Sequence, residues 1–119
     1  MATDRPTAVE LIESVKEFLS DEALPSLSGH MAFQVRIAAN LLAIAQRELE
    51  EGPRMKSDEH QRLREILGKE GALEDLEAEL IELIREGDLD SNREAIVQHL
   101  RRTSEDRLRI ANPKYLQRG

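Results

Sequence analysis

Apolar residues between Met31 and Leu49 fall on every side of a helical wheel, and this stretch constrains the fold more than any other part of the chain. A helix that is apolar on most faces is normally buried in the middle of a domain. We therefore predict a central, buried helix over 29–51. It begins at Ser28-Gly29 and ends at Gly52-Pro53, because glycine caps a helix and proline cannot continue it. The apolar positions are Met31, Phe33, Val35, Ile37, Ala38, Ala39, Leu41, Leu42, Ala43, Ile44, Ala45 and Leu49.

Four further segments repeat apolar residues every three or four positions, which predicts helices over 7–20, 58–68, 72–86 and 91–111. Thr7 and Glu10 form a capping box, in which each side chain satisfies the free N–H of the other residue, and the segment from Ser91 to Glu94 forms a second one. Asn112-Pro113 ends the last helix, and a short extended tail follows it.

No segment alternates apolar and polar residues over the length of a strand, so none predicts a β-sheet. A chain of 119 residues is the size of one domain and can bury a core without disulfides. We predict an all-α, single-domain bundle over 1–119, with about five helices packed around the second one. The first residues, 1–5, and the tail, 113–119, are expected to be flexible.

The amino-acid composition excludes several classes of protein. The absence of cysteine excludes a disulfide scaffold, a thiolate metal site and a cysteine nucleophile. Three aromatic residues are too few for an aromatic platform that binds nucleic acid. The N-terminus lacks the apolar core of a signal peptide, and no apolar run is long enough for a membrane span. We expect a cytoplasmic protein that binds neither membrane nor nucleic acid.

Charge is divided unevenly along the chain. Residues 1–92 carry 10 basic and 21 acidic side chains, whereas residues 93–119 carry seven basic and three acidic ones. The large acidic part repels phosphate backbones. The basic part is suited to an acidic partner or a ligand phosphate, and a solvated helix face is the other interpretation.

The usual catalytic patterns do not occur. None of His30, His60 and His99 stands at Glu-x-x-His spacing, which a di-iron bundle needs. Neither phosphate-binding glycine motif occurs, and neither does Gly-x-Ser-x-Gly. The acidic residues of the fourth predicted helix lie opposite its apolar stripe and are interpreted as a solvated face. We expect no catalytic residue, no metal and no cofactor in this chain.

Three polar residues of the predicted buried helix are candidates for a partner or ligand surface. Arg36 and Asn40 stand four residues apart and share a face, and Arg47 lies two turns beyond Asn40. Buried polar groups need partners, so these residues form either an internal network or a cleft or subunit interface. Tyr115, which follows the basic last helix, either closes the fold or contacts another chain.

Several short motifs, in this order, resemble a family of small bacterial proteins known as a domain of unknown function (DUF6285-like). They are Arg5-Pro6-Thr7-Ala8, Phe33-x-x-Arg36-Ile37-Ala38-Ala39-Asn40, Arg47-Glu48-Leu49-x-x-Gly52-Pro53, Ile84-Arg85-x-Gly87 and Leu108-x-Ile110-x-Asn112-Pro113-x-Tyr115. The resemblance covers 5–115, and nothing is carried over onto 54–72.

This resemblance implies a companion protein. Family members are similar to the small subunit that accompanies an aminoglycoside-phosphotransferase-like kinase in levulinate catabolism. There the pair phosphorylates 4-hydroxyacyl-CoA beside an acyl-CoA-dehydrogenase-like enzyme. The kinase would supply the ATP site, the magnesium and the base, and this chain would be a non-catalytic accessory subunit. Arg101 and Arg102 would then contact CoA phosphates, because guanidinium binds phosphate bidentately.

Two other functions stay open at this point. The chain is alternatively a self-associating helical scaffold, a homo-oligomer or interaction protein without a kinase partner. It is otherwise a lone enzyme or ligand binder that uses the strip of Arg36 and Asn40.

Overall fold

The computed structural model describes residues 4–87, 89 and 92–117, and every regular element in these ranges is helical. The all-α fold class is therefore confirmed. The first helix, α1, continues into a π-helical turn and a 3₁₀ turn, and four more α-helices follow. Their bounds are α1 Ala8–Glu17, π-helical turn Phe18–Ala23, 3₁₀ turn Leu24–Ser26, α2 Gly29–Leu67, α3 Leu73–Glu86, α4 Arg93–Ala111 and α5 Pro113–Gln117.

The chain divides into two compact units, unit 1 from Met1 to Gly52 and unit 2 from Pro53 to Gly119. The boundary falls within α2. None of the described helices combines the length and the apolar character needed to cross a lipid bilayer.

In unit 1 the predicted capping box opens α1. The Glu10 side chain accepts a hydrogen bond from the Thr7 backbone N–H at 2.9 Å, and the Glu10 N–H donates to Thr7 Oγ1 at 3.2 Å. The helix was expected to end near residue 20. Instead it widens into the π-helical turn and then tightens into the 3₁₀ turn, which holds Pro25 at a position where proline's missing N–H costs nothing.

Gln46 joins the two helices of unit 1. Its side-chain oxygen accepts a hydrogen bond from Lys16 Nζ at 2.7 Å, and its nitrogen donates to Glu13 Oε2 at 3.0 Å. On α2, Gln46 shares a face with Ala32 and Ala39, because these residues are separated by seven positions. Ala32 is buried and Ala39 is half-buried, so this face of α2 is the covered one.

The apolar stretch from Met31 to Leu49 is much less buried than its pattern predicts. Five of its large side chains are 42–59% exposed, and the buried large residues of α2 are Met55 and Leu63, which come later in the helix. The physical reason is that only one face of α2 is covered in unit 1. The residues that remain exposed are Met31, Phe33, Ile37, Leu41 and Leu49.

Unit 2 has an apolar core. Leu63 of α2 packs with Leu76 and Leu80 of α3 and with Ile96 of α4, and all four are buried. Because these residues lie on three different helical segments, they surround one another on several sides. Partly buried residues that pack against this core are Ile66, Leu67, Leu73 and Leu89.

The expected helix stop at Gly52-Pro53 is wrong, because α2 continues through both residues and absorbs the helix predicted over 58–68. Proline removes one backbone hydrogen bond but still accepts a helical φ, so strongly helical neighbours on both sides carry the helix past it. Gly68, with φ at +65°, ends α2, in agreement with the end of the helix predicted over 58–68. The Gly68 N–H donates to the Arg64 carbonyl at 2.8 Å.

The end of α3 agrees with the prediction from the sequence, whereas the segment after α4 does not. Gly87 takes a left-handed conformation, with φ at +76°, and caps α3, which ends at Glu86 in agreement with the predicted range 72–86. The tail expected to be extended forms α5 instead, because Pro113 is well suited to the first position of a helix. The capping box predicted at Ser91 lies outside the described residues.

A basic cavity as the candidate functional site

Residues of α2 and α4 in unit 2 line a cavity of about 520 Å³. Pockets for small organic ligands span roughly 300–1,000 Å³. The cavity combines three arginines, one histidine and two amides with two glutamates and two apolar residues. Its lining residues are Arg62, Glu65 and Ile66 on α2, Asn92 just before α4, and Ala95, Gln98, His99, Arg101, Arg102 and Glu105 on α4.

His99 is the buried polar group of this cavity, with only 4% of its surface exposed. The Arg62 Nε–H donates to His99 Nδ1 at 3.1 Å. Because a guanidinium can only donate, Nδ1 accepts, and the ring proton of the neutral histidine is assigned to Nε2. Burial first, and then the positive charge of Arg62, lower the pKa of His99. His99 is therefore neutral near pH 7.

The Nε2 side of His99 has no hydrogen-bond partner among the residues that the structure describes. Among the described residues, however, every fully buried side-chain nitrogen or oxygen has a hydrogen-bond partner. Nε2 is therefore not fully buried, and since His99 lines the cavity, we infer that its N–H reaches it. It offers a neutral hydrogen-bond donor.

Arg62 is held in place by two residues of α4. Besides its bond to His99, its Nη2 donates to Thr103 Oγ1 at 3.1 Å. His99 and Thr103 stand four residues apart and share one helical face, so one guanidinium bridges consecutive turns. This arrangement fixes the arginine beside the cavity.

Apolar periodicity in the last helix does not point to His99. The apolar residues Val97 and Leu100, which lie near it in the sequence, are both exposed. The buried face of α4 begins with Ile96 and His99 and continues through half-buried residues at spacings of three and four. This spacing of three and four could have indicated the buried face of α4 from the sequence. It is hard to recognise because the face contains polar as well as apolar residues. The half-buried residues are Thr103, Asp106 and Ile110.

Arg101 and Arg102, selected from the sequence, both line the cavity and are both exposed. Arg102 Nε lies 3.6 Å from Asp106 Oδ1 in an ion pair one turn along the helix. Arg101 makes no ion pair with any residue that the structure describes. The two guanidinium groups are positioned to bind a negatively charged ligand, and Glu65 and Glu105 add acceptors for ligand hydroxyl or amine groups.

A second polar pair, Glu59 and Glu77, lies outside the cavity lining. Glu59 stands one turn before Arg62 on α2, and burial raises the pKa of Glu59. The negative charge of Glu77 raises this pKa further, whereas Arg107 and Arg62 oppose the shift. Glu77 belongs to the acidic face that the sequence predicts to be solvated. It is half-buried, so the prediction fails at this position.

The other sequence candidates lie elsewhere. Arg36 and Asn40 are exposed on α2 of unit 1, so they are not buried as the interpretation of an internal network requires. Arg47 is half-buried. Glu10 pairs with Arg5 at 3.6 Å. Tyr115 is exposed on α5, and its N–H donates to the Asn112 carbonyl at 3.0 Å.

The chain belongs to the family described as a domain of unknown function, DUF6285, whose profile matches residues 25–115. The match includes all of α2, α3 and α4 and every residue that lines the cavity. It leaves out the motif Arg5-Pro6-Thr7-Ala8. Neither the curated proteins nor the solved structures include one that matches this chain.

Proposed function

We propose that the chain is a non-catalytic accessory subunit of an aminoglycoside-phosphotransferase-like kinase that phosphorylates 4-hydroxyacyl-CoA, and that it acts beside an acyl-CoA-dehydrogenase-like enzyme. The observation that supports this proposal is the basic cavity of unit 2, where Arg101 and Arg102 lie beside a buried, neutral histidine. In this proposal the cavity holds the phosphates of CoA, and the kinase supplies the ATP site and the catalytic base.

The cavity suits this ligand chemically. CoA carries several phosphate oxygens, and arginine pairs with phosphate through two parallel hydrogen bonds. Arg101 is available for such a pair, and the Arg102–Asp106 contact is long enough at 3.6 Å to exchange for a phosphate contact. The His99 Nε2–H adds a donor that carries no charge. Glu65 and Glu105 are suited to the amide or hydroxyl groups of the ligand.

The test is to co-express the chain with the kinase of the same genome and to measure ATP-dependent phosphorylation of 4-hydroxyacyl-CoA with and without it. We expect the two proteins to co-elute and the activity to require both. Full activity of the kinase alone, together with a failure to associate, would contradict the proposal.

The ligand site is tested separately in the assembled complex. The double variant R101A/R102A is expected to raise the KM for acyl-CoA at least about tenfold, because two charge-assisted phosphate contacts are lost. The matched control is R93A/R109A, which removes two exposed arginines from the same helix but none from the cavity. Equal KM values for the two double variants would show that the cavity does not hold the CoA phosphates.

A further inference from the structure

Arg62 is a half-buried cation of unit 2 whose hydrogen-bond partners are both uncharged. It donates to His99 Nδ1 and to Thr103 Oγ1. Glu59 lies within the electrostatic range of Arg62, but no carboxylate of the described residues forms an ion pair with this guanidinium. A charge withdrawn from water without a counterion is costly. An anionic ligand in the cavity would supply that counterion.

Arg62 also keeps hydrogen-bond donors for such a ligand. A guanidinium has five N–H groups, and the contacts with His99 and Thr103 use two of them. No described residue accepts a hydrogen bond from the remaining three. The Nε2–H of His99 is a further unused donor in the same lining. Two neighbouring side chains, each fixed by the other, therefore offer several N–H donors to one ligand group.

Burial distinguishes a covered end of the cavity from an open end. His99 is 4% exposed and Arg62 is half-buried. Arg101 and Arg102, in contrast, are exposed. Around α4, Arg102 is turned by about 60° from His99 and Arg101 by about 160°, because each residue turns a helix by about 100°. A ligand group that reaches Arg62 and His99 must be the end of the ligand, since the covered wall leaves no path for the chain to continue.

We propose that this covered end binds a terminal phosphate monoester, through Arg62 and His99. A monoester has three terminal oxygens and up to two negative charges, so it satisfies more of these donors than a carboxylate or a diester, which has two free oxygens. The two glutamates of the lining do not cancel its three arginines, so the lining keeps a positive charge.

The identity of the ligand as CoA rests on the proposed function. In CoA the terminal monoester is the 3′-phosphate of the ribose, and the diphosphate is attached to the same ribose. With the 3′-phosphate at Arg62 and His99, the diphosphate extends towards Arg101 and Arg102 at the open end.

Dephospho-CoA, which lacks only the 3′-phosphate, tests the proposal on the natural chain. Isothermal titration calorimetry at low salt should show that CoA binds at least about tenfold more tightly than dephospho-CoA, because the charge-assisted contacts of one phosphate are lost. Equal affinities for the two compounds would overturn the proposal, and so would a failure to bind either.

Two variants test the assigned residues. Arg62→Met should bind CoA no more tightly than dephospho-CoA. The matched control is Arg64→Met, another half-buried arginine of α2 that lies outside the cavity lining, and it should keep the preference for CoA. Thr103→Val removes the acceptor for Arg62 Nη2 but keeps the positive charge, so it should reduce the preference several-fold.

Circular dichroism shows which of these variants keep their helices, and Thr103→Val decides the question if Arg62→Met does not fold. An undiminished preference for CoA in either folded variant would overturn the proposal.

This titration and the kinase assay fail independently. A chain that the kinase requires, but that binds CoA and dephospho-CoA equally, would contradict only the phosphate site at Arg62. A chain that prefers CoA, beside a kinase that is fully active alone, would contradict only the role as an accessory subunit.

Discussion

Unit 1 and unit 2 are built from helices of similar apolar pattern, yet the apolar side chains are buried to very different extents in the two units. Leu63 of unit 2 is completely buried, whereas Leu41 of unit 1 is 59% exposed, although both lie on the same helix. In unit 2 the apolar residues of three helical segments converge. In unit 1 only one face of α2 is covered. The burial of an apolar side chain therefore depends on how many helices pack around it. The amphipathic pattern of one helix does not indicate how many other helices will pack against it.

The largest expected difference between the units comes from leucine truncation. Leu63→Ala should lower the free energy of unfolding by about 2–5 kcal/mol, because it removes buried methyl groups and leaves a cavity. Leu41→Ala should cost less than about 1 kcal/mol, because most of the removed surface is already in water. Urea unfolding of the two variants measures both losses. Equal losses would mean that the two units do not differ in packing as described.

A smaller effect is expected from the polar groups that only unit 2 encloses. Arg62→Met removes the donor to His99 Nδ1 and to Thr103, and it should cost about 1–3 kcal/mol because a buried acceptor loses its partner. The control is Arg64→Met on the same helix, whose 3.4 Å contact to Glu70 is exposed and should contribute less than about 1 kcal/mol. Thermal or urea unfolding of the two variants separates these values.

Helix capping gives a third comparison, because α1 has a side-chain cap and α3 has none. Thr7→Ala removes the hydroxyl that accepts from the Glu10 N–H, although the backbone N–H of residue 7 can still donate to the Glu10 side chain, and it should cost about 1 kcal/mol. Ala72 precedes α3 without a side-chain hydrogen bond, so Ala72→Ser should gain up to about 1 kcal/mol. Thr7→Ser, which keeps the hydroxyl, is the control. A destabilised Ala72→Ser would contradict the assignment of the start of α3.

The smallest expected effect is a change in pH dependence. Because the folded chain raises the pKa of Glu59 above its usual 4.5, it holds this proton more tightly than the unfolded chain does. Stability is therefore lost as the pH rises from 4.5 through the raised pKa. Glu59→Gln should remove this loss and be more stable than the natural chain at pH 7. Glu17→Gln, at an exposed acid of α1, should leave the profile unchanged.

The sequence predicts helix ends well where one residue decides the geometry. The Thr7–Glu10 box and the left-handed glycines at 68 and 87 are local signals, and all three are present. Gly52-Pro53 is also a local signal, but it was misleading because neighbouring turns outweigh one lost hydrogen bond. It nevertheless coincides with the boundary between the two units.

The candidate site was predictable only in part. Arg101 and Arg102 follow from the family resemblance, which implies contacts with CoA phosphates, and both line the cavity. His99 and Arg62 were missed because their roles depend on a contact between residues 37 positions apart, which periodicity cannot report. The pair of Glu59 and Glu77 was missed for the same reason.

Pro53 also has a consequence for how the molecule opens. Its nitrogen carries no hydrogen and so donates no bond to the preceding turn of α2. Opening of a helix spreads through its consecutive backbone hydrogen bonds. The bond that residue 53 would donate is missing, because proline has no N–H. We therefore expect transient opening of α2 that begins in unit 1 to end near Pro53 and not to reach Leu63. Amide hydrogen exchange should reveal two protection levels along one continuous helix, low before Pro53 and high after it.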